Sequence, residues 1–193
     1  MHAKKFILVG GYPHKAQDGG RAFCESLTGS FEEPVRILEC LFARPEENWP
    51  KAFSQDQEVF TKHLGDKKLE FKLATPDTFL EDIAWCNALY FRGGDIDLTS
   101  VLSQYPDWQK KLQGKVVAGS SMGAYMLSTY YFDIVTNTVE KGSGITNTKV
   151  VVHWNSKEYP TTKWEEGYEE LRRTGEDLPT YKLAEGEFVE VTE

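Results

Sequence analysis

Val116-Val117-Ala118-Gly119-Ser120-Ser121-Met122-Gly123-Ala124-Tyr125-Met126-Leu127-Ser128 is the stretch on which the reading of this chain turns. Three apolar residues, two of them β-branched, read as a buried strand. Ala124 to Ser128 is helix-compatible. Between them Gly119-Ser120-Ser121-Met122-Gly123 has the form Gly-x-Ser-x-Gly. Strand, Gly-x-Ser-x-Gly, helix is the sequence form of a nucleophile elbow, a sharp turn that lifts one hydroxyl, here Ser121, above the end of a sheet. Gly119 and Gly123 keep side chains out of the tight turn and the close strand-helix approach. The new helix starts with free N–H groups, and that of Met122 is aimed where an oxyanion would form. The plainer alternative is a strand-to-helix turn with a serine N-cap, and a histidine and a carboxylate at the same sheet edge would separate the two.

Outward from the elbow, short apolar runs alternate with helix-like segments. Strands are expected at Phe6–Val9, Val35–Leu41, Glu70–Leu73, Ala88–Phe91 and Val116–Ala118. Helices are expected around Gly20–Leu27, over residues 47–64, after Asp77 as a cap, over Asp95–Leu102 and over Pro106–Leu112. Such alternation builds βαβ units: an α/β fold, a mostly parallel sheet with helices on both faces. Ligands bind beyond the carboxyl ends of such strands. That edge collects Gly10-Gly11, Thr75-Pro76, Gly93-Gly94 and Ser121. After the elbow helix, Tyr130–Val135 and Val150–His153 read as extended, Glu158–Thr174 as one charged amphipathic helix, and Tyr181–Leu183 and Phe188–Val191 as two short strands.

The 193 residues suit one domain with a substantial core. A 40% hydrophobic and 27% charged composition is that of an ordinary soluble globular protein. A net charge of -8 and a pI near 5.1 argue against nucleic acid or an anionic membrane as the main partner. Cys24, Cys40 and Cys86 form no Cys-x-x-Cys pair and have apolar neighbours. Buried free thiols in a reducing cytosol are expected, with no metal and no cofactor. The run Phe6–Val9 is too short for a signal-peptide core or a membrane span, so a cytoplasmic protein is expected.

A serine hydroxyl needs a base. Of the four histidines, His2 is terminal and His63 sits among charged residues of a helix. His14 follows the first strand and lies at the ligand edge. His153 ends the run Val150-Val151-Val152 and is the best candidate, against the alternative of a structural histidine. The orienting acid is Asp133, Glu185 or Glu187, and chain order does not decide among them. Gly93-Gly94 can bring bare N–H groups close to a substrate, or can be an ordinary turn capped by Asp95. Arg92 is suited to a substrate carboxylate or to a nearby acid.

These pieces together resemble the serine peptidases of the peptidase E and cyanophycinase group, in the class I glutamine amidotransferase-like superfamily. The matching residues are Gly10-Gly11, Phe91-Arg92-Gly93-Gly94-Asp95, Gly114 through Ala124, Gly142-Ser143-Gly144-Ile145, Val150 through His153, and Leu183 through Phe188. They span nearly the whole chain in order. The resemblance implies a flavodoxin-like three-layer sandwich, with Ser121 as nucleophile, His153 as base and Glu185 as acid, Asp133 being the alternative acid. It implies an oxyanion hole from Gly93 or Gly94 with Met122. Arg92 and His14 are the expected substrate-binding residues, and the substrate a small peptide or amide. The elbow differs from the family's usual Ser-Ala-Gly in having Met122, whose bulk narrows the pocket. A homodimer is compatible with all of this. Two other readings compete: a non-catalytic binding module on the same fold, and a flavin or nucleotide binder. The second is disfavoured because Gly10-Gly11-Tyr12-Pro13 lacks a phosphate-cradling pattern.

Overall fold

A computed structural model describes residues 4–29 and 31–193; His2 lies outside them. Strand β1 is Lys5–Val9, β2 Val35–Cys40, β3 Leu69–Leu73, β4 Ala88–Phe91 and β5 Val116–Ser120. These five run parallel, and the carboxyl-terminal strand β10, Phe188–Thr192, adds an antiparallel edge, in the order β10-β1-β5-β4-β2-β3. β5 therefore sits inside the sheet, and the residues that follow it emerge at its carboxyl edge.

The inner strands β1, β4 and β5 are buried along nearly their whole length because both faces are covered. Successive side chains alternate, so each strand supplies two cores. Ile7, Val9, Ile37, Ala88 and Ala118 face α1 (Arg21–Thr28) and α2 (Trp49–Leu64), packing on Phe23, Leu27, Phe60 and Leu64. Phe6, Leu8, Leu38, Leu89, Phe91 and Val117 face the other way, onto α3 (Phe79–Trp85), α4 (Leu98–Leu102) and α5 (Met122–Leu127). The result is three layers, helix, sheet, helix, consistent with a flavodoxin-like sandwich.

A second sheet holds β6 (Tyr130–Asp133), β7 (Thr138–Lys141), β8 (Lys149–Val151) and β9 (Thr180–Lys182), ordered β7-β6-β8-β9. Helix α6, Trp164–Arg173, packs on it through Leu171 against Phe132, Ile134 and Val151. Among the described residues no helix is long and apolar enough to cross a membrane.

Several local expectations are corrected. The amphipathic helix begins at Trp164 rather than Glu158, because Pro160 pushes Tyr159 away from helical geometry and residues 156–163 form turns. Thr78 rather than Asp77 is the N-cap residue of α3, with its hydroxyl on Asp82. Asp97 rather than Asp95 caps α4, accepting from Thr99 and Ser100 N–H. The segment 106–112 is a 3-10 helix from Trp108. The last two strands are both present and belong to different sheets: β9 joins β8 in the second and β10 joins β1 in the first. Thr75-Pro76 follows the outermost parallel strand β3, so it lies at the same carboxyl edge but three strands from β5.

Gly119 accounts for the tight β5–α5 junction. A Cβ there would strike the backbone of Gly123, and one on Gly123 would strike the Phe91 carbonyl. Both obstacles are backbone, so the helix would have to move off the sheet. Gly119→Ala is expected to destabilise the protein by about 1–3 kcal/mol, toward the upper end. Urea denaturation checks this.

Candidate active site

Ser121 sits at the turn between β5 and α5 with φ 52° and ψ -116°, a conformation that L-residues rarely adopt. Backbone bonds on both sides hold it there. Its N–H donates to the Val9 carbonyl of β1 at 3.1 Å, and its carbonyl accepts from Ala124 and Tyr125 of α5. The strained turn carries the hydroxyl clear of the sheet.

His153 stands two residues beyond β8, at φ 51°, with its N–H on the Gly10 carbonyl at 2.7 Å. Gly11 gives the ring its place: a Cβ there would overlap the His153 imidazole, and its φ of 119° suits glycine alone. The ring stands edge-on to Tyr12 at 5.3 Å and tilted to Tyr159 at 5.4 Å. Only 4% of the side chain is exposed. Its Nε2 is 3.0 Å from Ser121 Oγ and its Nδ1 is 3.3 Å from Glu185 Oε1.

Glu185 lies in the crossing from β9 to β10. That crossing is laced to the β1 loop, Gly186 N–H donating to the Gly11 carbonyl and Gly10 N–H to the Glu187 carbonyl. Oε1 of Glu185 also accepts from Ser156 Oγ at 2.9 Å, and Oε2 from Lys15 Nζ at 2.6 Å. Burial raises the Glu185 carboxyl, but the bonds from Lys15, Ser156 and His153 outweigh it and hold the group below its ordinary value. Burial pushes the His153 imidazolium down from the ordinary 6.5, against the smaller opposing pull of Glu185. Neutral imidazole and ionised carboxylate are thus the forms favoured together. With Nδ1–H donating to the carboxylate, Nε2 is left to accept the serine proton.

A cleft of about 620 Å³ opens over Ser121, walled by His14, Gly93, Gly94, Met122, His153 and Tyr159. The other sequence-chosen residues fall as follows. Asp133 accepts from Val135 and Thr136 N–H at the β6 end and lies on the cleft rim, away from the imidazole's hydrogen bonds. Glu187 carboxylate accepts from Ala184 N–H and takes no part. Arg92 is committed inward, to Asp56 at 3.1 Å and the Ala52 carbonyl of α2 at 2.6 Å. His14 is exposed at the mouth, edge-on to Tyr12 at 5.9 Å. Gly93 N–H donates to Ser120 Oγ at 3.2 Å, whereas Gly94 and Met122 N–H have no partner among the described residues. Cys24, Cys40 and Cys86 are buried and free, and the described residues hold no cluster of metal-binding side chains.

Sequence reading did not single out Lys15, Ser156, Tyr12, Tyr159 or Arg44. Lys15 bridges Glu185 and Glu158, and Arg44 Nε grips the Gly93 carbonyl at 2.6 Å. Ser156 offered one signal, its position three residues after His153, where a turn folds it back.

No family model matches the sequence, and no curated protein matches it. Among solved structures, one described as a peptidase from an acI-B1 Actinobacterium superposes with a TM-score of 0.71 at 23% identity, over 98% of this chain and 83% of its own. Another, named "Putative Peptidase E Protein", from Listeria monocytogenes EGD-e, superposes with a TM-score of 0.67 at 13% identity, over 100% and 98%. The fold is peptidase E-like. At these identities the likeness is one of architecture, and the peptidase E-like fold by itself does not assign a reaction.

Proposed function

We propose that this protein is a serine hydrolase cleaving a small peptide or amide through a Ser-His-acid relay and an acyl-enzyme intermediate. The observation that carries the reading is the unbroken chain Glu185 Oε1, His153 Nδ1, His153 Nε2, Ser121 Oγ, with contacts of 3.3 and 3.0 Å, at the floor of the cleft. A buried histidine with a merely structural role would need no elbow serine on one nitrogen and no carboxylate on the other.

In this reading Ser121 Oγ attacks the substrate carbonyl carbon while Nε2 takes its proton. Glu185 keeps the imidazole in the right tautomer and stabilises the imidazolium without itself taking the proton. The carbonyl oxygen, now negative, is received by the free N–H groups of Met122 and Gly94. The imidazolium then protonates the leaving nitrogen as the carbon–nitrogen bond breaks, which leaves an ester on Ser121. Water, deprotonated by His153, attacks that ester and releases the acid. The likeness in fold to proteins named as peptidases supports an amide as the bond broken. Fluorophosphonate labelling followed by peptide mapping tests the reading: the label is expected on Ser121, and an unlabelled Ser121 overturns it.

The pH dependence follows from the base. Attack requires neutral His153, whose proton affinity burial has lowered. The acid limb of kcat/KM, or of the labelling rate, is therefore expected to have its midpoint below 6.5. A midpoint above 6.5 would mean that the pull of Glu185 outweighs burial.

A further inference from the structure

Beneath the cleft, three adjacent strands each carry a polar residue near the carboxyl end, on the face turned toward α1 and α2: Glu39 of β2, Tyr90 of β4 and Ser120 of β5. All three are buried, Glu39 at 2% exposure and opposite Tyr90 in the strand register. Tyr90 Oη is 3.0 Å from Ser120 Oγ, the atom that accepts Gly93 N–H. Asp56 of α2 closes over this group, and its carboxyl meets that of Glu39.

Among the described residues two buried side-chain oxygens lack a hydrogen-bond partner, Glu39 Oε1 and Asp56 Oδ2. They belong to the two carboxyls that meet. Arg92 Nη1 lies 3.1 Å from Asp56 Oδ2, a contact between charges that leaves the oxygen without a hydrogen-bond donor. One proton between the carboxyls supplies what both oxygens lack.

We propose that Glu39 and Asp56 share a single proton and act as a positioning pair. Asp56, held by the Glu39 hydroxyl, fixes Arg92, and Arg92 fixes the Gly93–Gly94 turn beside Ser121. The role of that turn rests on the hydrolase reading above; the shared proton does not. Two carboxylates in contact in a buried site cannot both stay ionised. Burial above all, and then the charge and hydrogen bond of Asp56, raise Glu39 well above 4.5, with Arg92 and Arg44 opposing. The remaining groups facing the pair are neutral: Tyr90, Ser120 and the α1 thiol Cys24, which burial pushes up to about 12.

The sign of the linkage is fixed by the raised value. The folded protein keeps a proton that the unfolded chain releases above 4.5. The pair's contribution to stability is thus complete below that pH and is lost as pH rises through the higher folded value. Glu39→Gln does not titrate, and its amide can donate to Asp56 in place of the shared proton. Asp56→Asn relieves Glu39 of its like-charged neighbour, so one negative charge remains. Only the double variant Glu39→Gln/Asp56→Asn leaves Arg92 buried with no counter-charge.

The experiment measures thermal melting from about pH 5 to 9 and the rate of Ser121 labelling by a fluorophosphonate for wild type, both single variants and the double. The melting curve of Glu39→Gln is expected to fall less steeply with pH than that of wild type. Each single variant is expected to label within about 3-fold of wild type, and the double about 30-fold slower, a strongly non-additive pattern. Parallel melting curves overturn the shared proton. Single variants as slow as the double overturn the single shared charge, and a double that labels like wild type overturns the positioning role. A wild-type protein that resists the label overturns the oxyanion role together with the hydrolase reading, while the melting curves still decide the proton.

Discussion

Replacing Ser121 by alanine is expected to abolish turnover, by a factor on the order of 10³ or more, while leaving the fold intact. The hydroxyl makes one hydrogen bond, to His153 Nε2, and is not part of either core. Its removal leaves the backbone bonds of the elbow to Val9, Ala124 and Tyr125 in place. The strained backbone at φ 52° is no worse for alanine than for serine. Melting temperature should therefore stay near that of wild type while activity disappears. A variant that turns over substrate at the parent rate would move the nucleophile elsewhere. A variant that loses activity only because it unfolds would show in the melt.

The second large effect is expected at Glu185. Glu185→Gln should slow turnover on the order of 10²-fold or more, whereas Asp133→Asn should have little effect. The contrast comes from geometry: Glu185 Oε1 is 3.3 Å from His153 Nδ1, and Asp133 serves a turn of its own at Val135 and Thr136. A glutamine can present an amide N–H to the imidazole, which favours the wrong tautomer and withdraws the charge that stabilises the imidazolium. It would also leave Lys15 without the carboxylate at 2.6 Å that anchors it. Steady-state kcat on the two variants checks this. Equal small losses would mean a Ser-His dyad, with the ring oriented by Ser156 or the backbone.

Much of this architecture was legible in the chain. The α/β alternation, the five parallel strands and the elbow at Ser121 follow from local pattern, because a strand buried on both faces must be continuously apolar and a turn with positive φ between strand and helix needs small neighbours. The extra strand β7 went unread, since Thr138–Lys141 is exposed and short and carries no apolar run. The helix before Trp164 was overextended because charge periodicity continues through residues that Pro160 keeps out of a helix.

For the site, composition and spacing nominated the participants but could not choose among them. Glu185, Asp133 and Glu187 are equivalent as text: three carboxylates near predicted strand ends. The choice was made by the path of the chain after β9, which leaves one sheet, is laced to Gly10 and Gly11 and swings Glu185 under the His153 ring. Arg92 suits a substrate carboxylate or a nearby acid equally well by sequence, and its strand-end position brings it against α2, where it meets Asp56. Sequence by itself determined the layered fold and the serine that leaves the sheet, because these depend on interactions within a few residues and on the alternation of one strand. Only the tertiary structure decided which acid lies against the histidine, which acid the arginine meets and which carboxyls are buried together. Those contacts join residues far apart in the chain, 32 positions for Glu185 and His153, and no local pattern encodes them.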